Sequence, residues 1–538
     1  MTTMAEKQQR HETRWRIILF LVIAIFSFVL RTIYAGKLNN SINELEARYV
    51  LISYDISKGI FHFPHAPWIM EYDETSFCWL IAPWVLLFGR SWKIFCLFAA
   101  TVTSLIPSIL FLITARKYDL KLGILVGLFF SSVPAQLVWD RDLAMSSMVV
   151  HTALWFFALY IVSHSAPRKP CHYALTGLAI GIGTYFAHYN AIVFPTLLAL
   201  IWFRKDSLKH RLMGMAISIT TYFLSCLPLL VLLKFKSEYL LWRQRHFHES
   251  PVQSVSIVHQ YLSSLAQHLK SLFFGGLESL HLRAEAPVLN PVMAVLFLVG
   301  IVFLLRRGWS DFFFVLGLPL TLYIMLGFIK PEHWSGSYHI FAMPFLALSA
   351  AFGAYGIWTR VTCQKQNTFS TVLFVIVVVL VVSINVWHFF WGAYRIHPRS
   401  DLLTRLQADM RSLEKMPYLF STAISVEVQH YHMPFWVATR CYQDRISIFG
   451  WDNDTWISDP DKVPIDFIRN MENQVGVVVS PEEVDVFIDR FDPESIVDTQ
   501  ILPGSELVMF HCNIDVPDLL QRTWTLSHVP PVLPIKRN

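Results

Sequence analysis

Two carboxylates, Glu44 and Glu46, follow the first long apolar run of the chain by only a few residues. A second acidic pair, Asp140 and Asp142, brackets Arg141 in a short turn between two later apolar runs. Carboxylates and a guanidinium together suit one kind of chemistry. A carboxylate of ordinary pKa, about 4.3, is ionised at neutral pH and can take a proton from an attacking hydroxyl. An arginine presents a planar fork to phosphate oxygens. Other polar groups recur at the ends of apolar runs: His188-Tyr189, then Arg243 and Arg245 beside His246 and His248, then Lys330, Glu332, His333, Tyr338 and His339. A bundle that gathered these ends would hold carboxylates, a fixed guanidinium and imidazoles above an apolar core.

Each group also has a plainer reading. Asp140-Arg141-Asp142 reads as a solvated turn with Asp142 as a helix N-cap. His188 reads as a satisfied histidine at a helix end, and Tyr338 as an interface aromatic. Glu44 reads as part of a polar helical turn, and Asp73-Glu74 as a cap on the amphipathic run that follows. The recurrence of such groups on one side of a membrane is what favours the functional reading.

The elements that must position these groups are membrane spans. The chain has 538 residues, 54% hydrophobic and 15% charged, with mean hydropathy +0.44. Soluble domains are about a quarter charged, so the composition indicates a polytopic membrane protein. The net charge of +5 falls in short clusters between apolar runs, which excludes a nucleic-acid-binding surface. The seven cysteines have no metal-ligand spacing, and neither a metal nor a cofactor is called for. Cys441 and Cys512 lie in the polar tail.

With about 20 apolar residues per crossing, spans are expected near 16–35, 94–115, 121–138, 143–163, 173–187, 190–203, 212–233, 289–305, 311–328, 338–358 and 369–391. The fifth and sixth are short, and Gly181, Gly183 and Pro195 suggest tilting or breaks. Basic residues before the first span and after the second, fourth, sixth, eighth and tenth all fall on one side, which identifies it as cytoplasmic. The N-terminus, 1–15, is then cytoplasmic, and the first apolar run reads as an uncleaved span. The outer side receives loop 36–93, the Asp140–Asp142 turn, His188–Asn190, 234–287, 327–337 and the tail 392–538. Lys234, Lys236, Arg243 and Arg245 form an outer basic patch. It suits an anionic lipid phosphate, or else a solvated loop beside an interfacial helix. The tail alternates short β-like runs (Tyr418–Val428, Ile446–Phe449, Val475–Val479, Leu507–Cys512) with amphipathic patterns (Pro464–Met471, Pro481–Phe491), and so predicts a small α/β domain.

In the order of these parts the chain resembles the GT-C polyprenyl-phosphate-sugar glycosyltransferases, among them protein O-mannosyltransferases and aminoarabinose transferases that modify lipid A. Glu46-Ala47-Arg48-Tyr49 resembles that family's Asp-Glu-x-x-Tyr opening from Glu onward, and Ser57-Lys58-Gly59 the Gly that closes its helix. Phe77–Gly89 resembles its interfacial helix, and Ser132–Arg141 its run before the fourth span. His188-Tyr189, Gly336-Ser337-Tyr338 with Pro344, and His432–Arg440 resemble its later polar and aromatic stretches.

The resemblance implies a membrane domain over 16–391 with about eleven transmembrane helices and a small extracytoplasmic α/β domain over 392–538. It implies an inverting sugar transfer from a polyprenyl-phosphate donor to a glycan, lipid or protein acceptor on the outer face. By register the base is Glu46, with Glu44 the alternative, because Leu45 stands where the family has its leading Asp. Ser146 stands where some members have an acid, so Asp142 or Asp140 would take the second-acid role. Arg141 would hold the donor phosphate, with Arg243 and Arg245 in support. Asp140, His188, Tyr189, His333, Tyr338 and His339 would line the site. No Gly-rich nucleotide cradle is visible, which fits a lipid-linked donor.

Two other functional classes fit a polytopic chain: a secondary transporter, and a non-catalytic membrane scaffold. A transporter would place its charges mid-span between inverted repeats. Here the acids cluster at outer span ends, and no repeat is apparent. A multi-pass protein of the plasma (inner) membrane is expected if the source is bacterial, with the active site extracytoplasmic.

Overall fold

In a computed structural model, the structure describes residues 4–33, 49, 52–53, 56–59, 61, 75–89, 92–140, 143–164, 169–186, 192–204, 206–235, 257–275, 277–278, 283–284, 287–327, 338–362, 368–392, 394–395, 418–420, 450–452, 455–457, 474–479, 481, 484–485, 496–502 and 506–513. The chain divides into a large unit of 1–39, 52–89 and 93–397, and a smaller one of 40–51, 90–92 and 398–538.

The large unit is helical. Among the described residues six helices are long and apolar enough to cross a membrane: 11–32, 94–117, 146–163, 208–231, 309–326 and 339–360. Shorter apolar helices accompany them at 76–88, 120–132, 193–202 and 374–390.

The first helix, α1 (Met4–Thr32), shows how one sequence serves two environments. Ile17, Ile18, Leu21, Val22, Ile25 and Val29 are exposed, as a lipid-facing surface must be, whereas Ile23, Ser27, Leu30 and Arg31 are buried. Positions 23, 27, 30 and 31 recur at helical spacing and form the stripe that faces the bundle. The interfacial helix α2 (Thr75–Phe88) buries Phe77, Cys78, Ile81, Ala82 and Val85 and leaves Leu86, Leu87 and Phe88 exposed at its tip. Asp73 and Glu74, expected to cap it, lie outside the described residues. The long α3 (Trp92–Lys117) follows.

The third span does not run unbroken from 121 to 138. Helix α4 (Leu120–Ser132) stops, and α5 (Pro134–Trp139) starts afresh. Val133 between them has ψ 122°, outside the helical range. Pro134 is the cause: its ring disfavours helical geometry at the preceding residue, and its missing N–H is harmless at the first helical position. All six residues of α5 are buried.

Helix α6 is Leu143–Ser163. The next two spans also differ from expectation. Helix α7 (Pro170–Gly183) is continuous through Gly181. A side chain at Gly177 would meet Thr221 and the Ser218 carbonyl, and one at Gly181 would meet Ser225. The two glycines, four residues apart, are notches for the neighbouring helix α9 (Leu208–Phe235), the small-residue packing that lipid-embedded helices use. Helix α8 (Val193–Trp202) carries Pro195 in its first turn, where the backbone N–H has no intrahelical partner to lose. Beyond α9 lie α10 (Ile257–Phe273), α11 (Pro291–Arg307), α12 (Trp309–Leu326), α13 (His339–Thr362) and α14 (Thr368–Trp387), which passes into a π-helical turn, His388–Gly392.

One end of this bundle is fastened by charges. Lys117 Nζ donates to the Ser163 carbonyl at 2.9 Å, and Arg204 Nη1 to the carbonyls of Val162 and His164 at 2.8 and 3.2 Å. Asp311 receives Tyr118 OH at 2.9 Å and pairs with Arg307 at 3.1 Å and Lys117 at 3.6 Å. The ends of α3, α6 and α11 and the region joining α8 to α9 therefore share one face, as the basic-loop pattern requires. Three short strands, β1 (Leu277–Glu278), β2 (Arg283–Ala284) and β3 (Tyr394–Arg395), pair antiparallel in the large unit.

The smaller unit carries β4 (Tyr418–Phe420), β5 (Gly450–Asp452), β6 (Thr455–Ile457), β7 (Gln474–Val479), β8 (Ile496–Ile501) and β9 (Val508–Asn513). Its main sheet has the order β4-β7-β9-β8, parallel at the first pairing and antiparallel at the other two; β5 and β6 form a hairpin. Val478, Met509 and Phe510 are buried in it. The expected strands near 418, 475 and 507 are present, 446–449 lies outside the described residues, and β5, β6 and β8 are strands that the sequence pattern did not single out. Of the amphipathic stretches expected as helices, 464–471 and most of 481–491 lie outside the described residues.

Candidate active site

Arg31 and Asp140 form an ion pair with both side chains wholly buried. The sequence places them there by two local devices. Arg31 closes the bundle-facing stripe of α1, and the restart at Pro134 delivers Gln136 and Asp140, four residues apart, on one side of α5 and its cap. Arg31 Nη2 donates to Asp140 Oδ2, while Nη1 donates to the Ser27 carbonyl at 3.2 Å and to Ser27 Oγ. Gln136 Nε2 donates to Asp140 Oδ1 at 2.6 Å. The Asp140 N–H donates to the Gln136 carbonyl at 2.8 Å. Its own carbonyl accepts from Ser146 Oγ at 3.4 Å, with Thr103 Oγ1, which donates to the Ala99 carbonyl at 2.8 Å, at the same distance. Arg31 Nε and Gln136 Oε1 have no hydrogen-bond partner among the described residues.

A second buried polar layer lies where α10, α12 and α13 meet. His339 Nε2 is 2.9 Å from Ser271 Oγ, and its Nδ1 is 2.8 Å from Tyr323 OH. Ser271 Oγ also lies 2.8 Å from the His268 carbonyl. A Ser271 hydroxyl that donates to this carbonyl accepts from His339 Nε2–H and leaves Nδ1 to accept from Tyr323 O–H, so the ring's tautomer follows the Ser271 proton. Along α10 three polar residues, Ser264, His268 and Ser271, are buried at helical spacing together with Leu272, while Val258, Leu262 and Leu269 are exposed. Ser264 Oγ donates to the Leu326 carbonyl at 3.0 Å and ties α10 to the end of α12.

His268 is buried, and its Nε2 has no partner among the described residues. Burial pushes this imidazole down to about 4 from an ordinary 6.5. A group whose folded pKa lies below its unfolded value binds protons preferentially when unfolded, so acid favours unfolding. Stability is therefore expected to be complete above pH 6.5 and to decline as pH falls toward 4. Melting temperatures measured across that window should drop, and His268→Gln should flatten the slope. A wild-type profile that is level between pH 6.5 and 4 would contradict this.

Two further polar contacts lie inside the bundle. His151 Nδ1 meets the Gly183 carbonyl at 2.6 Å, with the Trp155 ring 4.3 Å away. Asn290 donates to Asn385, which donates in turn to Ser132 Oγ at 3.0 Å and joins α11, α14 and α4.

Of the residues expected from sequence, the structure places three. Asp140 is buried with both carboxylate oxygens engaged, His339 is buried in the histidine layer, and Tyr338 is half-buried beside it. Glu44, Glu46, Arg141, Asp142, His188, Tyr189, Arg243, Arg245 and His333 lie outside the described residues. Sequence reasoning missed Arg31, Gln136, Ser271 and Tyr323. Two signals were available. Ser27 and Arg31 stand four apart inside an apolar helix, and Arg31 is a cation at the end of the first span opposite to the basic N-terminus. The Ser264, His268, Ser271 stripe is likewise readable by spacing.

No family model matches the chain, and no curated protein resembles it significantly in sequence. Solved structures do share its fold. The structure of ArnT from Cupriavidus metallidurans bound to undecaprenyl phosphate aligns with 94% of this chain and 98% of its own, at TM-score 0.54 and 13% identity. The apo ArnT structure aligns over the same shares at TM-score 0.56 and 14% identity. The archaeal oligosaccharyltransferase AglB from Archaeoglobus fulgidus, in complex with an inhibitory peptide and a dolichol-phosphate, aligns with 88% of this chain and 70% of its own, at TM-score 0.52 and 14% identity. The chain is a mostly helical, multi-pass integral membrane protein with a GT-C-like fold, similar over most of its length to polyprenyl-phosphate glycosyltransferases.

Proposed function

We propose that this chain is an inverting glycosyltransferase that moves a sugar from a polyprenyl-phosphate donor to an acceptor on the extracytoplasmic face of the membrane. The observation that carries the reading is the shared fold: 94% of the chain follows a protein whose structure holds undecaprenyl phosphate. Eleven transmembrane helices, a cytoplasmic N-terminus and an outer α/β tail complete the architecture. Six long apolar helices and the basic residues gathered at one bundle end support it.

Glu46 acts as general base, with Glu44 the alternative. It takes the proton of an acceptor hydroxyl as that oxygen bonds to the anomeric carbon. The bond from that carbon to the donor phosphate breaks, and its electron pair leaves on the phosphate. The released polyprenyl phosphate carries the developing charge, so fixed cations do more for this step than leaving-group protonation. Arg141 grips that phosphate, Arg243 and Arg245 add positive potential, and Asp142 serves as the second acid. His188, Tyr189, His333 and Tyr338 line the acceptor and sugar side. The acceptor is a glycan, a lipid or a protein.

Arg141→Lys tests the reading. Lysine keeps the charge and loses the two parallel hydrogen bonds of the fork. With purified protein in lipid nanodiscs, the donor KM should rise about ten- to hundredfold while the protein stays folded, since losing one charge-assisted bond costs roughly 1.5–3 kcal/mol. Unchanged donor kinetics would remove Arg141 from the site. Absence of any sugar transfer from polyprenyl-phosphate donors by wild-type protein would remove the function.

A further inference from the structure

Asp140 is an unusual residue for the end of a six-residue helix. Its N–H, its carbonyl and both carboxylate oxygens are all engaged, by Gln136, Ser146 and Arg31. Helix α5 is too short to hold itself in place, since an isolated helix of that length is unstable. The bend at Val133 also cuts it off from α4. Tertiary contacts must therefore set where its end points, and among the described residues a charged contact comes from Arg31 of α1.

We propose that Arg31 is a positioning residue of the donor site. It fixes Asp140, and through it the start of the peptide link to Arg141. It does so from the end of α1, so the ion pair ties the residue before the proposed phosphate grip to a long apolar helix. This rests on the reading of Arg141 as that grip. A buried ion pair adds little net stability over an apolar pair of similar volume. What it adds is selectivity for one arrangement, because only one pairing neutralises both charges. The role is therefore separable from folding.

The test uses undecaprenyl phosphate and undecaprenol as probes, with full-length protein in nanodiscs. Their ratio of dissociation constants reports recognition of the phosphate and cancels the contribution of the tail. Wild type should prefer the phosphate by about tenfold or more, as expected for a bidentate arginine contact. Arg31→Met/Asp140→Leu removes both charges, and should fold and melt far closer to the wild type than Asp140→Leu alone, bind undecaprenol unchanged, and lose most of the phosphate preference. Arg31→Lys keeps the charge but not the joint hold on Ser27 and Asp140. It should lower the preference about threefold, and it carries the test if the double variant does not fold. A folded double variant that keeps the wild-type preference overturns the proposal, as does an Arg31→Lys protein with an unchanged ratio. A wild-type chain without any preference overturns the donor reading itself, and Arg141→Lys run in parallel separates the two failures.

Discussion

Glu46→Gln is expected to slow sugar transfer by about 10²- to 10⁴-fold while binding of the lipid donor survives, the range that a positioned general base contributes. Glutamine keeps the size of the side chain and one carbonyl oxygen, but it cannot hold the acceptor's proton. The donor contacts, assigned to Arg141 and the outer basic residues, are untouched. The defect should therefore fall on kcat, with the donor KM close to that of the wild type. Glu44→Gln is the internal control: two residues away, it should cost far less if the register is right. Single-turnover measurements with both variants decide the matter. Should Glu44→Gln be the dead protein, the base moves to that residue and the mechanism stands. If neither variant slows the reaction, both Glu44 and Glu46 are excluded as the base.

The second large effect concerns folding. Asp140→Leu leaves the Arg31 guanidinium inside the bundle with no counter-charge, and takes away the acceptor of Gln136 Nε2. Removing one partner of a buried pair costs about 3–5 kcal/mol, because the surviving charge cannot reach water. The melting temperature in detergent should fall sharply, and the yield of monodisperse protein with it. Adding Arg31→Met to the same protein should recover most of that loss. If Asp140→Leu melts with the wild type, the pair is not sealed from water in the membrane.

How far the sequence disclosed this arrangement follows from length scale. Spans were readable because a bilayer imposes one long apolar requirement that a composition window detects directly. The break at Val133 was harder, since hydropathy passes smoothly across it; Pro134 carried the signal. Gly181 is the reverse case. As a helix breaker it suggested a bend, yet its lack of a side chain serves close approach by Ser225. For the site, polarity at a span end cannot by itself separate a solvated residue from a buried one. Asp140 was therefore noticed without its partner, Arg31, 109 positions earlier in the chain. His339 was noticed without Tyr323 and Ser271. Long-range partners are a property of helix packing, and only the fold supplies them.

The charged junction around Asp311 bears on how the protein is made. Its partners Lys117 and Tyr118 are synthesised nearly two hundred residues earlier, and Lys117 also holds the end of the helix that closes at Ser163. Until residue 311 emerges, that lysine and tyrosine have no carboxylate there to meet. Arg307, placed one helical turn before Asp311, arrives with it and completes the group. The early helices can enter the bilayer one by one, but the lock on this end of the bundle closes only once translation has passed the middle of the chain and reached Asp311. Insertion and assembly are thereby separate events. A nascent chain cut short before Asp311 would keep the contacts of Lys117 and Arg204 with the end of α6 but lack the carboxylate that ties this end to the later helices.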